Sequence, residues 1–109
     1  MTDPEIVFAH YRVKPGHEEQ FKDLLREHET TLRELELITE RPTEVLLGAD
    51  QRIEGPLFFE IFEWASLEAA SSAHTHPQIA ALWERIGDMC EERGGRPRFE
   101  FPHLHPIKL

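Results

Sequence analysis

Cysteine is nearly absent: Cys90 is the only one in 109 residues. No intrachain disulfide can form, and a reducing, cytoplasmic home is expected. Positive charge is also scarce. Twelve Lys and Arg stand against 21 Asp and Glu, for a formal net charge of −9. Nucleic acid and anionic membrane surfaces would repel such a chain, so neither is expected as a partner. No apolar run reaches the roughly 18 residues of a bilayer-spanning helix. The opening MTDPEIV lacks the basic segment and apolar stretch of a secretory signal. There is no glycine-rich phosphate loop, no Cys-x-x-Cys, no Gly-x-Ser-x-Gly and no His-Glu-x-x-His. Nucleotide-dependent chemistry and the common hydrolase mechanisms therefore lack support. No repeat or long linker divides the chain, so residues 1–109 are expected to form one domain.

Hydrophobic residues make up 39% and charged residues 30%, an ordinary balance for a globular chain. Glu5 to Val13 alternates and predicts a strand. Val7, Ala9, Tyr11 and Val13 share one face; Ile6, Phe8, His10 and Arg12 share the other. Gly16, three residues before Glu19, is placed to start a helix. From His17 to about Leu37, Phe21, Leu24, Leu25, Leu32 and Leu35 form one apolar stripe, with His28 on it. Thr43 to Ala49 predicts a second strand, followed by a polar loop from Asp50 to Pro56. Leu57 to Trp64 predicts a third strand, apolar on both faces. Ser66 is placed to cap a short helix to about Ala73. Pro77 restarts a helix, with Ile79, Leu82, Trp83, Ile86, Met89 and Cys90 as its stripe, and Gly94-Gly95 stops it. Arg93, Arg96 and Arg98 then cluster at its C-terminal end. Pro97 to His105 predicts a last strand, and Pro102 places it at an edge or a bulge.

The order β-α-β-β-α-β predicts an α+β, ferredoxin-like plait, with a four-stranded antiparallel sheet and its helices on one face. The helices cover one face only. The other would hold Phe and Ile side chains in water, and a second copy of the same face is the simplest cover. A homodimer built through the sheet face is expected.

Three stretches resemble the antibiotic biosynthesis monooxygenase family of the dimeric α+β barrel superfamily. Tyr11-Arg12-Val13-Lys14-Pro15-Gly16 through Phe21 resembles the family's opening R-x-K-P-G-x-x-x-x-F. Ile61 through Ala70 resembles its aromatic strand end and following helix. His74-Thr75-His76-Pro77-Gln78-Ile79 resembles its helix restart. The resemblance implies a dimeric barrel. It also implies either a cofactor-free oxygenase acting on a small apolar or aromatic molecule, or a non-catalytic ligand-binding or stress-related barrel protein. No cofactor is expected. The family's haem-degrading branch uses an Asn on the first strand, and this chain contains no Asn.

Seven histidines are the most unusual feature. His74 and His76 flank the helix break, where a pocket mouth could form, and are the candidate catalytic pair; an imidazole there could equally cap the helix starting at Pro77. Tyr11, Trp64 and Trp83 are candidate walls of an apolar pocket between sheet and helices, where ligands of the resembled family sit. His10 and Glu60 are further candidate substrate contacts. Glu60 lies among aromatics, and an ion pair with Arg12 across the sheet is its expected structural role. His10 could meet His103 if the outer strands are neighbours. His103 and His105, two apart on one strand face, have a chelating spacing, but no third metal ligand is fixed. Cys90 is expected to be a buried helix residue.

Overall fold

The computed structural model describes residues 4–50 and 52–109. Strand β1 (Glu5–Arg12) and strand β3 (Ile53–Trp64) pair antiparallel, with Ala9 opposite Glu60 and Tyr11 opposite Phe58. Strand β2 (Glu44–Asp50) flanks β3. Two short strands, β4 (Phe99–Glu100) and β5 (His103–Leu104), flank β1. The order β2-β3-β1-β4 is that of the ferredoxin-like plait. Helices α1 (Glu18–Glu34), α2 (Leu67–Thr75) and α3 (Pro77–Asp88) complete it.

The alternation read from β1 decides which face is core. Val7, Ala9, Tyr11 and Val13 are buried, together with Phe58, Phe62 and Trp64 of β3. Phe21, Leu24, Leu25 and Leu32 of α1 and Ile79, Leu82 and Ile86 of α3 close over them. On the opposite face Ile6, Phe8, Phe59 and Ile61 are only half-buried, and Leu46 and Leu104 are exposed. Both faces of the central strands are thus apolar, and only one is covered by the chain itself.

Local chemistry sets the helix ends. Gly16 takes φ 89°, a left-handed conformation that glycine adopts without a Cβ clash. Its N–H donates to the Glu18 carboxylate at 2.6 Å. Ser66 caps α2 by accepting from the Ala69 N–H at 3.0 Å. Ser66→Ala should therefore lower stability by about 1 kcal/mol, read as a shifted urea midpoint at unchanged slope. The carbonyls ending α3 take donors from elsewhere: Lys14 Nζ on Asp88 O at 2.9 Å and Arg98 Nη1 on Gly87 O at 3.1 Å.

Several expectations are corrected. Asp50 to Pro56 is not a loop: β2 runs to Asp50 and β3 starts at Ile53. The register shifts between Gly48 and Asp50, so Pro56, which has no N–H to give, falls beside that irregularity. Gly94-Gly95 does not stop the helix, which ends at Asp88. Those glycines instead turn the chain between Arg93 and Arg96, at φ 58° and 78°. Arg93 leaves the helix end and braces the carbonyls of Val13 and Pro56, at 2.6 and 2.9 Å. The last strand is broken around Pro102, whose carbonyl still accepts from the Phe8 N–H at 2.9 Å.

Candidate functional site

Between the sheet and the helices lies a cavity of about 250 Å³. Val7, Phe62 and Trp64 of the sheet line it, with His28 of α1, His74 of α2, Trp83 and Ile86 of α3, and Phe99, Phe101 and His103 of the C-terminal strand region. Its walls are mostly apolar. Trp64 packs edge-on against Phe62, with centroids 5.1 Å apart. A cavity of about 150 Å³ holds a benzene ring, so this one accommodates one or two fused rings.

A hydrogen-bonded chain of buried polar groups runs up to the cavity wall. The Tyr11 hydroxyl donates to Glu60 Oε1 at 2.7 Å. Glu60 Oε2 lies 3.0 Å from His28 Nδ1, and Trp83 Nε1 lies 3.0 Å from His28 Nε2. An indole N–H can only donate. His28 Nε2 must therefore be the accepting nitrogen, and the proton sits on Nδ1, pointing at Glu60. Both Glu60 oxygens accept hydrogen bonds, so the carboxylate is satisfied although its residue has no exposed surface. Burial, then the charge of Glu60, pushes the Tyr11 phenol well above its ordinary value of 10.0, which keeps it a donor.

The elements explain why these groups meet. Glu60 shares the core face of β3 with Phe58 and Phe62. Its register partner Ala9 carries so small a side chain that neighbouring Tyr11 can reach across. His28 takes a place on the buried stripe of α1 between Leu24 and Leu32. Trp83 sits on α3, which packs against α1.

The other candidates are distributed as follows. Trp64 and Trp83 line the cavity, and Tyr11 lies beneath it, in contact with Glu60 rather than with the open space. His74 is exposed at the cavity wall, its ring edge-on to Trp83 at 5.0 Å. His76 does not line the cavity; its Nδ1 accepts from the Gln78 N–H at 3.2 Å and caps α3. Glu60 does not pair with Arg12, because their side chains leave opposite faces of the sheet. Arg12 is fully buried on the other side, near Asp50 (3.4 Å) and Glu100 (3.6 Å), with Nη1 on Pro97 O at 2.8 Å. His10 lies there too, between Phe8 and Phe59. It faces Glu100 at 3.9 Å rather than His103. Burial holds His10 below the ordinary 6.5, against the opposing pull of Glu100.

His103 lines the cavity with its Nδ1 3.2 Å from Glu5 Oε2, and His105 Nε2 lies 3.3 Å from Glu5 Oε1. Among the described residues no group of three or more His, Cys, Asp or Glu could hold a metal ion. Nor is any described helix long and apolar enough to cross a membrane. Cys90 follows α3 rather than lying in it, pairing with Val13. Burial pushes its thiol up to about 12. Native protein at pH 8 should therefore resist alkylation by iodoacetamide, and react once unfolded in urea; rapid native labelling would contradict that burial.

No family model matches the chain, and no curated protein matches it. Solved structures do. A dimeric ferredoxin-like protein of unknown function from Jannaschia sp. CCS1 superposes with a TM-score of 0.66 at 12% identity, covering 94% of this chain and 99% of its own. A protein from Caulobacter crescentus CB15, provisionally assigned as an antibiotic biosynthesis monooxygenase, gives 0.66 at 14%, covering 98% and 92%. A second with that provisional assignment, from Chloroflexus aurantiacus J-10-fl, gives 0.62 at 11%, covering 97% and 95%. The chain thus has the ferredoxin-like α+β fold, and the likeness to antibiotic biosynthesis monooxygenases read from its sequence is found again in the fold.

Proposed function

We propose that this chain is a small-molecule enzyme of the cofactor-independent oxygenase kind. It would work in the cytoplasm as a homodimer of single-domain subunits, on a small aromatic substrate held between sheet and helices. The observation that carries this reading is the His28–Glu60 pair at the wall of an otherwise apolar cavity. A carboxylate behind Nδ1 orients the imidazole and stabilises the imidazolium that forms when Nε2 takes a proton.

The chemistry asks little else of the protein. A substrate with a removable proton loses it to His28 Nε2, and the electron-rich anion passes one electron to dioxygen. The substrate radical and superoxide combine to a peroxide anion, which takes back the proton held on His28. The hydroperoxide so formed loses water, and a carbonyl remains. One oxygen atom ends in the carbonyl and the other in water, together with two substrate hydrogens, so no outside reductant is needed. Trp64 and Trp83 would wall the substrate. His74, exposed at the cavity wall, would orient the substrate. His76 has no part in this scheme.

The dimeric ferredoxin-like neighbour and the uncovered apolar face of the sheet support the homodimer. A second reading is a binding protein without chemistry. It is favoured by one observation: Nε2 of His28 is already occupied by Trp83. Oxygen uptake separates the two. With a panel of one- and two-ring phenols and their keto tautomers, the oxygenase reading expects uptake above the uncatalysed rate, abolished in His28→Ala. Saturable binding with no uptake across that panel would leave the binding reading standing and sink the oxygenase.

A further inference from the structure

His28 offers one acceptor and it is taken. Its Nδ1 proton points at Glu60 Oε2 at 3.0 Å, and the remaining lone pair, on Nε2, receives the Trp83 indole N–H at 3.0 Å. In the resting state His28 therefore presents no free base to the cavity. Trp83 is half-exposed, and its ring lies between exposed His74 and buried His28, with the His74 ring 5.0 Å away. We propose that Trp83 is a stopper on the His28 base, displaced only by a ligand that brings its own hydroxyl donor to Nε2, so that the site selects hydroxylated aromatics. The inference rests on the cavity being the ligand site.

The physical reason is hydrogen-bond conservation in an apolar space. A ligand without a donor that pushes the indole aside leaves buried Nε2 unpaired, and a buried acceptor without a partner is penalised. A ring hydroxyl replaces the indole donor one for one, while the displaced N–H, on a half-exposed side chain, can turn to water. Sites built around a hydrogen bond reject analogues that lack it more strongly than apolar pockets reject a missing methylene. The hydroxyl arriving at Nε2 also carries the proton the proposed chemistry removes, so selection and activation fall on one bond. The cavity's size sets the other limit, one or two fused rings.

The test uses the full chain and two probes of nearly equal shape, 2-naphthol and 2-methoxynaphthalene. Only two indole N–H signals exist, from Trp64 and Trp83, and Trp64→Phe or Trp83→Phe assigns them in a nitrogen–proton correlation spectrum. Adding 2-naphthol should move the Trp83 signal upfield as its bond to imidazole breaks, and 2-methoxynaphthalene should not. The naphthol should bind at least about tenfold tighter, and Trp83→Phe should tighten it further by several-fold. The wild-type titration decides even if a variant folds poorly. If both probes bind within threefold of each other and leave the Trp83 signal alike, the stopper is wrong while the cavity remains a ligand site. If neither probe perturbs any cavity residue, the ligand site itself is wrong, and the stopper falls with it.

Discussion

Glu60→Ala is expected to lower the melting temperature by more than about 10 °C, measured by differential scanning calorimetry. The substitution removes the acceptor of two buried donors, the Tyr11 hydroxyl and the His28 Nδ1 proton. Each orphaned donor destabilises by about 1–3 kcal/mol, and in a domain of this size 1 kcal/mol shifts the midpoint by about 4–8 °C. Glu60→Gln separates hydrogen bonding from charge. Its amide oxygen can still accept from His28, and its NH₂ can donate to the Tyr11 oxygen. Only the Tyr11 O–H then loses its acceptor, so the stability loss should be about half that of the alanine variant, about 1–3 kcal/mol. The negative charge facing a protonated His28 is gone, however, so oxygen uptake should fall by about 100-fold with ligand affinity little changed. An alanine variant as stable as the parent would show that the buried chain of polar groups contributes nothing to folding. A glutamine variant of full activity would remove Glu60 from the proposed chemistry.

That polar chain also marks the limit of what the sequence made legible. Alternation groups Tyr11 with Val7, Ala9 and Val13 on one face of β1. Strand β3 is apolar on both faces, so alternation alone does not say that Glu60 stands on the core side; the register with β1 does. The helix restart at Pro77 and the cap at Ser66 follow from residues with one dominant local role. His28 was visible as a stripe residue of α1, but stripe periodicity gives direction and not depth. Nothing within α1 says that its ring will lie between a carboxylate 32 positions away and an indole 55 positions away. One clue was available: a histidine on an apolar stripe has two ring nitrogens to satisfy, and Glu60 was a carboxylate among aromatics with the same need. The expected Glu60–Arg12 pair fails because the register of β1 against β3 puts the two side chains on opposite faces, which alternation within either strand alone does not reveal. His76 shows the converse limit. A histidine before a helix-initiating proline has a local use as a cap, and the structure gives it that use.

Ile61→Glu is expected to turn a dimer into a monomer, read by light scattering at micromolar concentration as a fall from twice 12.7 kDa to 12.7 kDa. Ile61 stands on the uncovered face of β3, opposite Phe8 on β1 and Glu44 on β2. In the single chain it is half-buried, so a carboxylate there can reach water and the subunit should still fold. Across a two-fold interface the same residue occurs twice, and each buried charge is penalised by several kcal/mol. Every 1.4 kcal/mol is a factor of ten in affinity, so the dimer should weaken by more than about a thousandfold. The chain's −9 charge adds repulsion rather than relief. Ala81→Glu, an exposed position on the helix side, introduces the same charge and should leave the mass unchanged. A parent chain that is monomeric at micromolar concentration, or an Ile61→Glu chain that stays dimeric, would show that the apolar face is not the joint. The residues that line the cavity stand on the helix side of the sheet, away from Ile61. Monomeric Ile61→Glu should therefore keep its affinity for 2-naphthol, and loss of binding in a folded monomer would mean that the second subunit shapes the site from across the sheet.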